Sequence, residues 1–179
     1  MSEDEMAYNF DSIVAPFNKL QLHEVPKEVL MERIDRKFAF HENRIAELLE
    51  GLHPYYDLVE AAGSVIAPYH SQYLDTEDFR FYMRHHRGFK NREKVRFRAY
   101  PKTETSFLEH KRKNNKGRTS KLRIPTDINF KMDEKGKAFL GSRMLHYGPD
   151  KLIPSATVDY LRLGFISKEG DERFSIDFN

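Results

Sequence analysis

The chain has 179 residues, 39% of them hydrophobic and 32% charged, with 14 Phe and 9 Tyr. That length suits one domain with a real core, and the aromatic content argues against a disordered chain. Cysteine is absent, which excludes disulfides, thiolate metal sites and cysteine nucleophiles and fits a reducing compartment. The acidic start MSEDEMAYNF has no apolar signal segment, and no apolar run approaches the roughly 20 residues of a membrane helix, so a cytoplasmic location is expected.

In chain order, residues 1–31 read as a leader with apolar anchors at Phe10, Ile13, Phe17, Leu20 and Leu22, and residues 32–179 as the domain proper. Arg33–Phe40 alternates like a strand, with Arg33, Asp35 and Lys37 on one face. The segment 41–52 predicts a helix, because Ile45, Leu48, Leu49 and Leu52 follow helical spacing. Ser64–Leu74 is strand-like. Asp75–Asp78 then opens a second helix, whose basic end and Gly88 match the helix dipole and a C-terminal cap. His85 and His86 point about 100° apart on that helix and fit dipole capping better than a metal site. Strands are predicted at Lys94–Tyr100, Ser106–Lys113, Ser120–Phe130, Thr157–Ile166 and Arg173–Phe178, with a hairpin turn at Asn114–Gly117. Short helix or loop is expected between Phe130 and Pro154. The pattern is an α+β fold with a largely antiparallel sheet.

The net charge is only +2, but Arg80–Arg123 is densely basic, which predicts a polyanionic partner. The strands sort this charge. Arg96 and Arg98 share one face, as do Glu109 and Lys111, Lys121 and Arg123, and Tyr160 and Arg162; Arg173 starts the same pattern in the last strand. Cations repeated at the polar positions of several strands would converge if the strands curl into a barrel. There they would repel unless an anion relieved them. Arginine matches phosphate oxygens bidentately and lysine adds a point charge, so phosphate is the natural ligand. A salt-bridged surface face is the plain alternative.

The motifs RIDRKF (33–38), YLDT (73–76), NREKVRFRAY (91–100), FLEHKRKNNKGRTSKLR (107–123), VDYLR (158–162) and RFSID (173–177) occur in that order. Together they resemble the VTC domain, the polyphosphate polymerase branch of the triphosphate tunnel metalloenzymes. The resemblance implies an antiparallel β-barrel or tunnel with flanking helices, about seven of its eight strands lying within this sequence. The closing strand, which in the family carries a metal-holding glutamate, is expected beyond Asn179. It further implies ATP and polyphosphate as ligands, a divalent metal (Mn or Mg), and transfer of the ATP γ-phosphoryl group to a phosphate chain. On the matching positions, Lys37, Arg96 and Arg98 would be catalytic. Lys111, Lys121, Arg123, Tyr160, Arg162 and Arg173 would bind phosphate. Glu109 is the candidate metal-holding acid, with pairing to Lys111 or an arginine as its other use. The hydrolase branches open with Glu-x-Glu-x-Lys, where this chain has Arg33-Ile34-Asp35-Arg36-Lys37, which favours chain transfer over hydrolysis. A triphosphatase and a non-catalytic polyphosphate-binding module are the alternatives. Nucleic acid is not expected, and no protein partner is indicated.

Overall fold

The alternation becomes a largely antiparallel sheet with short helices, an α+β fold, in a computed structural model that describes residues 12–25, 36–144, 146–169 and 172–179. The elements are β1 (Lys19–Gln21), α1 (Ile45–Leu52), β2 (Tyr56–Glu60), β3 (Ile66–Asp75), α2 (Arg80–His86), β4 (Arg92–Tyr100), β5 (Thr105–Lys113), β6 (Thr119–Pro125), α3 (Glu134–Gly141), β7 (Ile153–Ser167) and β8 (Arg173–Phe178). Two compact units divide the chain: residues 1–67 with 161–179, and residues 68–160. The long strand β7 contributes its C-terminal half to the first and its N-terminal half to the second.

In the first unit β1 runs parallel to β2, and β2 and β8 both pair antiparallel with β7. Val14, Phe17, Leu49, Leu58, Leu163, Phe165 and Ile176 form its core. α1 delivers the helical stripe predicted for it, with Leu49 fully buried and Ile45, Leu48 and Leu52 packed beside it. The strand expected over Arg33–Phe40 needs correction. Residues 33–35 lie outside the described residues, and residues 36–40 are exposed and belong to no strand. Phe38 stays 79% exposed. Alternation makes a strand only where a neighbouring ladder takes up the backbone groups and a core takes the apolar face. The parallel β1–β2 pair went unpredicted, since strands of three and five residues carry too little period to read.

In the second unit β3, β4, β5 and β6 form an antiparallel run. The N-terminal half of β7 lies beside β3, where the Ser155 hydroxyl donates to the Tyr73 carbonyl at 3.1 Å. One sheet face packs Leu74, Val95, Phe97 and Leu108 against Phe81 of α2 and Phe139 and Leu140 of α3. β6 stops at Pro125 rather than running to Phe130. Proline has no N–H for the ladder, and Asp127 then closes a turn by accepting from the Asn129 amide at 2.8 Å.

α2 begins later than its acidic lead-in suggested, and Asp75 explains how the two connect. One oxygen of this buried carboxylate accepts from the Thr76 and Phe81 amides, both at 2.8 Å, and the other from the Tyr82 amide at 2.9 Å. It therefore caps the helix from the end of β3, while Phe79 at the helix start holds a left-handed φ of 54° and gives no cap of its own. Gly88, with φ of 71°, closes the other end as predicted. Asp75→Ala should lower stability by about 2 kcal/mol, the upper range for losing a helix cap, because three amides lose their acceptor together. A urea titration of the variant checks this through its shifted midpoint.

Candidate functional site: a cationic sheet face

The sheet face opposite the core of the second unit carries the charge. Register places Tyr73 of β3 beside Arg96 of β4, Arg96 beside Glu109 of β5, and Glu109 beside Arg123 of β6. One step along the face, Ser71 lies beside Arg98 and Arg98 beside Phe107; in the other direction Lys94, Lys111 and Lys121 form a row. The row arises because each strand alternates and each partner is in register, so positions two apart stay on one side.

Glu109 is the acid within this field. It is 2% exposed, accepts from Arg96 Nε at 2.8 Å, and has Lys121 Nζ 2.8 Å from its second oxygen. That second oxygen is buried with no donor aligned for a full hydrogen bond, so the Lys121 contact is an ion pair by proximity. Burial pushes the Glu109 carboxyl up, but Lys121 and Arg96 together outweigh it and hold the group below its ordinary value. Burial likewise pulls the Arg96 guanidinium down, and the charges and hydrogen bonds of Glu109 and Tyr73 reverse this and hold it above its usual value. The Tyr73 hydroxyl accepts from the same guanidinium at 3.0 Å.

Arg98 has a different setting. It is 7% exposed, and its Nε donates to the Ser71 hydroxyl at 2.9 Å. Its guanidinium carbon lies 5.0 Å from the centre of the Tyr69 ring and 5.8 Å from that of Tyr160, two rings stacked 4.9 Å apart. Among the described residues it has no carboxylate partner. Arg123 is exposed and lies 4.2 Å over the Phe107 ring.

Arg96, Arg98, Lys111, Lys121, Arg123, Glu109 and Tyr160 thus belong to the second unit, with Lys111 exposed between Lys94 and Lys121. Lys37, Arg162 and Arg173 belong to the first unit. There Arg162 is joined to Asp177 by two hydrogen bonds of 2.5 and 2.6 Å, Arg173 is exposed at the start of β8, and Lys37 is exposed outside any strand. Sequence reasoning missed Tyr69, Ser71, Tyr73 and Lys94. Their period-two spacing in β3 and β4 was the available signal.

A metal ion does not fit the donor set around Glu109. Its oxygens already face two cations, and no group of three or more His, Asp or Glu converges among the described residues. At the end of the face a cavity of about 650 Å³ is lined by Tyr73, Lys94, Phe79, Tyr82 and Met83 among others.

Among the described residues this sheet face sets arginines and lysines around one buried acid, with tyrosines beside them, a donor set whose geometry matches phosphate oxygens. The family model for the VTC domain matches residues 32–179, and the chain belongs to that family. Membership points to a polyphosphate-related function. A search of curated proteins gives no match. Among the described residues, no helix is long and apolar enough to cross a membrane.

The depressed Glu109 pKa has a direct consequence for stability. The group is more acidic folded than unfolded, so its contribution is complete above its ordinary value of 4.5 and fades as pH falls through the lower folded value. Thermal melts of Glu109→Gln and wild type should differ most near neutral pH and converge as the solution is acidified. At neutral pH the substitution should cost about 3 kcal/mol, the lower end for breaking a buried pair, because Lys121 is half exposed.

Proposed function

We propose that the protein is an ATP-dependent polyphosphate polymerase whose cationic sheet face holds the nucleotide phosphates and the growing chain. The observation that carries this reading is Arg98, a buried guanidinium with a serine hydroxyl and two tyrosine rings around it but no carboxylate partner among the described residues. A buried cation is costly without an anion, and a phosphate supplies both charge and oxygen acceptors. Membership of the VTC domain family supports the choice of polyphosphate.

In the proposed reaction a terminal oxygen of the phosphate chain attacks the γ-phosphorus of ATP. The new P–O bond forms as the bond to the β–γ bridging oxygen breaks, giving ADP and a chain longer by one unit. The attacking oxygen is already anionic at neutral pH, so no general base is required. What remains is alignment and stabilisation of charge on the transferring group. Arg98 and Arg96 supply fixed donors, with Glu109 and Ser71 holding their planes; Lys121 and Arg123 screen the incoming chain. The cavity beside Tyr73 and Lys94 has the size of ordinary ligand sites and takes the nucleoside in this reading. A divalent ion (Mn or Mg) would supply charge neutralisation for the nucleotide phosphates, and Glu109, already facing Arg96 and Lys121, would not hold it.

Phosphorus NMR of the protein with ATP and magnesium tests the proposal. Growth of an internal-phosphate signal is the expected result. Orthophosphate release alone would replace the polymerase with a triphosphatase. Arg98→Ala should lower turnover by about 10²–10³-fold, the usual effect of removing one transition-state donor. The ligand-free variant should unfold no more easily than wild type, since it loses an uncompensated buried charge. Tripolyphosphate binding that is equal in wild type and Arg98→Ala would overturn this placement of the site.

A further inference from the structure

The β5–β6 hairpin carries cations on both of its faces. Lys111, Lys121 and Arg123 alternate with His110, Arg112, Ser120 and Leu122, so the second set lies on the opposite side of the sheet from Arg96 and Glu109. A cavity of about 580 Å³ opens there, lined by Arg112, Arg118, Arg143, Ser120, Ser142 and His110 among others. Every one of these residues belongs to the second unit.

The lining contains three arginines and no carboxylate. Arg143 is fixed in place: its Nη1 donates to the Phe139 carbonyl at 2.8 Å and to the Ser142 hydroxyl, and its guanidinium carbon sits 4.6 Å over the Phe139 ring. Below it His110 is held by Glu93 at 3.0 Å, both side chains buried, which spends the nearest acid. Arg112 and Arg118 have no side-chain partner among the described residues. Their positions are set by the hairpin turn, where the Asn114 side-chain oxygen accepts from the Lys116 and Arg118 amides, both at 3.0 Å. Three arginines and two serines lining one cavity match an oxyanion with several negative charges. Orthophosphate would leave most of this volume empty, whereas an oligophosphate segment would span it.

We propose that this cavity is a second phosphate site, separate from the cationic face, which binds a short segment of inorganic polyphosphate. A chain held there stays attached to the protein while its other end is free to react, so the site would retain long chains without taking part in transfer. The site stands independently of the polymerase reading, since none of its residues belongs to the proposed catalytic face.

Titration calorimetry with tripolyphosphate tests it on three proteins: wild type, Arg112→Ala/Arg118→Ala, and Arg96→Ala/Arg98→Ala. Wild type should bind two equivalents. The Arg112/Arg118 variant should lose one class of site, weakened by about a hundredfold or more for two charge-assisted contacts, and keep the other. The Arg96/Arg98 variant should show the reverse. Arg112 is half-buried and Arg118 exposed, neither with a side-chain partner among the described residues, and an unchanged melting temperature verifies folding. A wild-type titration with one equivalent that Arg96→Ala/Arg98→Ala abolishes, or an Arg112/Arg118 variant that titrates like wild type, overturns the second site. Retention of the Arg112/Arg118-dependent class with no Arg96/Arg98-dependent class would sink the catalytic face and leave the second site standing. Displacement of tripolyphosphate from the second site by equimolar single-stranded oligonucleotide would overturn the polyphosphate assignment in favour of nucleic acid.

Discussion

The carboxylate of Glu109 is the constraint around which the cationic face is organised. Arg96 and Lys121 approach it from opposite neighbouring strands, which pins the two side chains at one point of the sheet. Like charges this close repel, and in a partly dry setting the repulsion is several times that in water. One buried acid offsets that repulsion locally without neutralising the face, because Arg98, Arg123, Lys94 and Lys111 remain on the same side. The acid therefore orients cations while leaving the field positive. Two acids in the same place would have made an ordinary ion-pair network, and none would have left the arginines splayed towards solvent.

Arg98 relies on a different device. Two tyrosine rings contribute the negative faces of their π-systems, and a serine hydroxyl accepts one N–H. These groups position a guanidinium while carrying no formal charge, so its full positive charge stays available. The arrangement pairs Arg96 with a carboxylate and leaves Arg98 without one among the described residues. That difference could not be anticipated from the two residues' shared place in Val95-Arg96-Phe97-Arg98.

Most of the second unit was legible in the sequence, because period-two alternation is a local signal and β3 to β6 obey it. Faces, and hence which cations lie together, followed from it. The choice of partner did not. Glu109 reaches Lys121, which lies diagonally across the ladder from it, whereas Arg123 is directly opposite and Lys111 is two positions along its own strand. A diagonal contact depends on side-chain reach and strand twist, neither of which is written in the alternation. Asp75 was read as opening the helix, whereas it caps from the end of β3, and two of its three amide partners lie six and seven residues on, beyond the span of ordinary capping patterns. At the other extreme, residues 36–40 alternate well and form no strand, since pairing is a property of the neighbour as much as of the segment.

Register links these local details to the site. The side-chain period of a strand is two, so a slip of one residue between β5 and its neighbours would bring Glu109 to the core face and His110 to the cationic one. Arg96 would then lose its acid, and Glu93 its histidine. The turn at 114–117 opposes that slip: the Asn114 amide donates to the Arg118 carbonyl at 2.9 Å, its side chain accepts two further amides, and Gly117 takes the positive φ of 80° that the turn requires. On the other side the Glu93–His110 pair, buried between β4 and β5, resists the same displacement, because a slip would carry His110 to the other face and leave Glu93 unpaired in the interior. The polar pair within the core and the asparagine in the turn thus act on one variable. By fixing which residues of β5 face which way, they determine that Glu109 meets Arg96 and Lys121 and that Arg112 points to the other side.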